Sequence, residues 1–197
     1  MVDVWFQPLV WVDYRLALLF TLIFPLFILI WAAFSQVEAI QRLMILYWRV
    51  ASLLMISLYL MIPGWSIAFV TIFLARILIP ISLWFWVDIN DEIKDLPGSG
   101  VKMALMSWRW AITLYCTLGA IATLPFLSCT FSAGAMDSNF CQVWLRAPWQ
   151  YQATIHPNLT AGFIGFLGMV GLVVYVIYLA YFLLFRLGKQ GRSALEQ

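Results

Sequence analysis

Three arginines, Arg49, Arg76 and Arg109, stand in apolar surroundings where a cation has few partners. Arg76 is the deepest, near the middle of an apolar run from Trp65 to Val87 that contains no acidic residue. A guanidinium at such depth costs roughly 2.5–3.5 kcal/mol on insertion scales. It stays protonated and carries five N–H donors that need acceptors. Arg49 and Arg109 begin nearer one edge of their own apolar runs, so the three together could line one basic pocket. The group held there would be a lipid phosphate, a pigment or quinone oxygen, or a partner's carboxylate. The plainer alternative is an arginine bonded only to carbonyls and hydroxyls, with Ser57, Thr71 and Thr113 at hand. Pro80 serves either reading, because it frees the carbonyl of residue 76 itself.

Other chemistry is sparser. His156 is the single histidine. It suits one axial bond to a chlorophyll or haem, and a bis-histidine haem cannot be built within one chain. Asp88, Asn90, Asp91, Glu92 and Asp95 form an acidic loop whose spacing matches no metal motif, so no metal site is assigned. No nucleotide-binding glycine loop, serine elbow or HExxH pair occurs, and catalytic residues are therefore expected to be none. No CxxC or CxxCH occurs either. Cys116 falls in an apolar run and reads as a packing residue.

These residues must be positioned by membrane helices. The chain has 197 residues, 64% hydrophobic and 10% charged, against about 25% charged in a soluble domain. A span needs about 20 apolar residues, and the sequence divides into five: Leu16–Phe34, Leu43–Ile62, Trp65–Val87, Ser107–Leu127 and Thr160–Phe185. The expected fold is an all-α polytopic bundle of five transmembrane helices in one domain, with loops at 88–106 and 128–159. Met1–Val12 is too short to span and reads as an interfacial arm. A cleaved signal peptide is not expected, since the amino end lacks a basic region.

Basic residues set the orientation. One side receives Arg42, Arg49, Lys94, Lys102, Arg109, Arg186, Lys189 and Arg192, the other only Arg15 and Arg146. The carboxyl tail is therefore expected in the cytoplasm and the amino terminus outside. Cys129 and Cys141 then share an outer, oxidising loop, and a disulfide between them is expected. The same loop carries Trp144, Trp149 and Tyr151, either as a lid over a site or as an interfacial aromatic belt. The basic residues are scattered, which argues against a nucleic-acid partner. Gly162, Gly165, Gly168 and Gly171 recur every third residue and form a smooth ridge for a close neighbour. That neighbour is another helix of the chain, a pigment ring or a second protein.

The strings PLVWVDYRLALLF (8–20), YWRVASLL (47–54), LARILIPISLWFWVDIN (74–90) and SWRWAITLYCTLG (107–119) resemble a family of cyanobacterial multi-pass proteins of uncharacterised activity, also described as thylakoid membrane proteins. The resemblance covers nearly the whole chain. It implies a photosynthetic host and a thylakoid or plasma membrane address, but no activity. The expected role is a non-enzymatic accessory or assembly subunit of a photosynthetic membrane complex. The alternative is a small transporter or a lipid- or anion-binding protein built on Arg49, Arg76 and Arg109. No resident cofactor is expected, although a bound lipid or chlorophyll is compatible with these residues.

Overall fold

The computed structural model describes residues 4–132, 134–187 and 191–193. Among the described residues every regular element is helical. Five helices are long and apolar enough to cross a membrane. They are α1 (Gln7–Phe34), α2 (Glu38–Met61), α3 (Ile67–Trp84), α5 (Gly100–Phe131) and α7 (Ala161–Arg186). Two shorter helices lie between them, α4 (Val87–Asp95) and α6 (Arg146–Ile155).

The helix ends depart from the apolar runs. α1 begins at Gln7 rather than Leu16, so the expected interfacial arm is corrected: residues 7–12 are its first turns. Pro8 sits in the opening turn, where a missing N–H costs nothing. α5 likewise begins at Gly100, seven residues before the apolar run, because the Ser99 side chain caps it by accepting from the Lys102 backbone N–H. Helical hydrogen bonding runs on through polar residues that hydropathy assigns to the flanks. The loop expected at 88–106 holds α4, whose Ile89 and Ile93 sit one turn apart and are buried, each 1% exposed. The charged face of α4 turns outward, and Glu92 bonds Arg42 of α2 at 2.6 and 2.7 Å.

Pro25 shapes α1. A wide π-type turn over Leu18–Ile23 leads into it, and its missing N–H leaves nearby carbonyls without helical donors. Two other helices supply them. Tyr47 Oη donates to the Thr21 carbonyl at 2.7 Å, and Trp108 Nε1 donates to the Phe20 carbonyl at 2.8 Å. The break in α1 is thus a three-helix junction, with the Tyr47 and Trp108 rings edge to face at 5.0 Å. The main buried cluster surrounds it, from Ile28 and Leu43 to Leu83 and Leu105.

α7 packs on α2 through the glycine ridge. A methyl group at Gly165 would meet the Pro63 ring at 2.6 Å. At Gly168 it would meet the Leu60 backbone nitrogen at 3.2 Å, and at Gly171 the Ile56 side chain at 3.2 Å. The neighbour of Gly168 and Gly171 is α2 of the same chain, and that of Gly165 is the turn just after it. Gly162 is different, with open space where a side chain would stand.

Candidate functional site

Arg76 projects from the middle of α3 and is 5% exposed. Side chains on a helix lean toward its amino end. For α3 that is the end where α1 starts, so the guanidinium reaches toward the first turns of α1. There Nη2 makes an ion pair with the Asp13 carboxylate. Tyr115 of α5 donates to Asp13 Oδ1 at 3.0 Å and to the Asp13 carbonyl at 3.2 Å, and its ring lies 5.7 Å from the guanidinium carbon. Gly119, one turn further along α5, leaves the space the guanidinium fills. Three helices are joined by one neutral cluster of cation, anion and phenol.

Both partners expected for Arg76, an outside anion or only carbonyls and hydroxyls, are corrected, because α1 is longer than its apolar run and carries Asp13 inside. Signals for Asp13 were present in the sequence: an acid six residues after Gln7, at the same end of the bundle as the start of α3. The roles of Tyr115 and Gly119 carried no signal, since they depend on which face α5 presents.

Arg109 is also buried, 2% exposed, but in a second place. Its Nη2 donates to the Leu83 carbonyl at 2.8 Å and to Asn90 Oδ1 at 2.7 Å. Its guanidinium carbon lies 4.0 Å from the Trp84 ring centre, a close cation–π stack. Arg109 therefore ties the end of α3 and the start of α4 to α5 through neutral acceptors. Asn90, grouped with the acidic residues by sequence, works here as an acceptor for a cation.

Arg49 lies in a third place, on the exposed face of α2. Its Nη1 donates to Tyr178 Oη of α7 at a long 3.4 Å. The three arginines are thus separated rather than gathered around one pocket. Arg49 borders a groove of about 160 Å³ between α2, the end of α3 and the end of α7.

The opposite end of the bundle carries the loop expected at 128–159, here a set of short helical turns and α6. Cys129 and Cys141 are joined by a disulfide. Thr130 Oγ1 donates to the Ser66 carbonyl at 2.6 Å, Trp149 Nε1 to the Ile62 carbonyl at 3.0 Å, and Tyr14 Oη to the Trp144 carbonyl at 2.8 Å. This lid is bolted across the ends of α1, α2 and α3. Non-reduced peptide mapping is expected to recover the Cys129–Cys141 cross-link; alkylation of both thiols without reductant would contradict it. Reduction should loosen the lid by about 3 kcal/mol, the loop-closure effect for a ring of this size.

His156 follows α6. Its Nε2 lies 3.0 Å from Tyr59 Oη, and its ring meets Tyr59 and Tyr151 edge to face. Burial and the neighbouring Tyr59 push the Tyr151 phenol above its ordinary pKa. The ring nitrogen that commonly ligates a macrocycle is thus engaged with a phenol of α2. Among the described residues, no three His, Cys, Asp or Glu side chains converge as a metal site would require.

Five apolar helices joined by buried ion-pair and carbonyl contacts define an α-helical integral membrane protein. Residues 7–195 match a family described as "Protein of unknown function (DUF3177)", and the chain belongs to that family. No curated protein and no solved structure matches it.

Proposed function

We propose that this protein is a non-enzymatic accessory or assembly subunit of a photosynthetic membrane complex, in the thylakoid or plasma membrane of a cyanobacterium. The observation that carries the non-enzymatic reading is the use made of its two buried cations. Arg76 is neutralised by Asp13, and Arg109 is satisfied by Leu83, Asn90 and Trp84, so each links helices of this chain. The polar interior serves the shape of the bundle. α7 touches α2 along one side and offers partners the rest of its surface, including Phe166, Val174 and Ile177, each more than half exposed. The resemblance in residues 8–20, 47–54, 74–90 and 107–119 supports the photosynthetic setting.

In this reading the amino terminus faces outward or into the lumen and the carboxyl terminus the cytoplasm, as the eight-to-two split of basic residues suggests. Single cysteines at positions 2 and 195 should label from opposite faces of sealed membranes, and labelling from one face would reject the topology. The role itself is tested by affinity purification from native cyanobacterial membranes with mass spectrometry of the eluate. Photosynthetic subunits are expected at constant ratio to the bait. Recovery of the chain alone, under gentle solubilisation that preserves known complexes, would overturn the assignment.

A further inference from the structure

We infer that the groove beside Arg49 is a binding site for one anionic glycerolipid, with the phosphate on Arg49 and an acyl chain along the groove. The site stands apart from Arg76, and it holds or fails whether or not protein partners are found. Its walls are apolar, with Leu46 and Val50 from α2, Leu78 and Ile81 from α3, and Phe182 and Leu183 from α7. The Arg49 guanidinium and the hydroxyls of Tyr175 and Tyr178 also line it, whereas no lining residue is acidic. Apolar walls with a cationic head select an amphiphile of negative charge.

Arg49 has the strongest claim on such a ligand. It lies six residues inside the apolar run that begins at Leu43, about 9 Å along the helix. Among the described residues no carboxylate bonds it, and the Tyr178 hydroxyl is a distant acceptor at 3.4 Å. An exposed guanidinium near the edge of its span, with no carboxylate of the chain on it, reaches a lipid phosphate at headgroup level. Trp86 closes the inner wall of the groove and is 7% exposed. The groove, about 160 Å³ with apolar walls, suits a stretch of acyl chain.

The test uses the full chain, stripped of lipid in detergent and supplied with dioleoyl-phosphatidylglycerol or dioleoyl-phosphatidylcholine. Native mass spectrometry should show one phosphatidylglycerol retained, at least tenfold more tightly than phosphatidylcholine. R49Q is expected to lose that preference and R49K to keep part of it, both with an unchanged unfolding midpoint in lipid-free detergent because Arg49 is exposed. Equal retention of the two lipids, or a preference unchanged in R49Q, overturns the proposal. Displacement of the lipid by millimolar inorganic phosphate would reassign the site to a free anion and also overturns it. Should R49Q fail to fold, quenching by brominated phosphatidylglycerol decides. Wild type should show a quenched component that W86F lacks, and equal loss with brominated phosphatidylcholine refutes the anionic preference.

Discussion

Asp13→Asn should destabilise the bundle by about 3–5 kcal/mol, the cost of leaving a buried cation without its anion. The substitution keeps the size and acceptor of the side chain, so the effect reports charge rather than packing. Arg76 is 5% exposed and the described chain offers it no second carboxylate. Tyr115 also loses a charged acceptor at 3.0 Å, which adds to the loss. Replacing both partners by leucine removes the charges together, and such exchanges are often near neutral. The expected pattern is a large loss for Asp13→Asn, a similar loss for Arg76→Leu, and recovery of most of it in the Asp13→Leu/Arg76→Leu pair. Reversible unfolding in mixed micelles, run as a double-mutant cycle, measures the coupling. Wild-type stability for Asp13→Asn would show that the pair does not hold the helices.

Gly119→Ala is the second sharp expectation, because it tests the same centre from the opposite wall. Alanine would ordinarily strengthen a helix by about 0.8–1 kcal/mol over glycine. Here its methyl group would stand 2.9 Å from Cζ and 3.2 Å from Cδ of Arg76, and closer still to Nη1. The guanidinium cannot retreat while Asp13 holds it, so overpacking of about 1–3 kcal/mol should prevail. The sign should reverse once the arginine is gone: with Asp13→Leu and Arg76→Ala in place, Gly119→Ala should stabilise. Destabilisation of the same size in both backgrounds would show that Gly119 is needed for something other than the guanidinium. The same unfolding assay reads both arms.

Hydropathy suffices for five helices because a span must carry its own apolar surface, whatever it later packs against. The need of Arg76 for a partner is equally local, since a guanidinium keeps its charge wherever it sits. The glycine spacing of α7 marks a close approach from the sequence itself, though not which of the four glycines makes it, and Gly162 makes none. Which partner Arg76 finds was decided by tertiary structure. The apolar run begins at Leu16, but helical hydrogen bonds do not stop where polarity begins, so α1 extends back to Gln7 and brings Asp13 inside. The separation of Arg49, Arg76 and Arg109 likewise depends on the rotation of α2, α3 and α5 about their axes. Sequence places Arg76 deep and Arg49 and Arg109 nearer one edge; only the packed bundle turns one toward Asp13, one toward Asn90 and Leu83, and one toward the groove at its surface. Composition and periodicity carry what each segment does with water and lipid. Contacts among segments far apart in the chain arise only when the bundle closes.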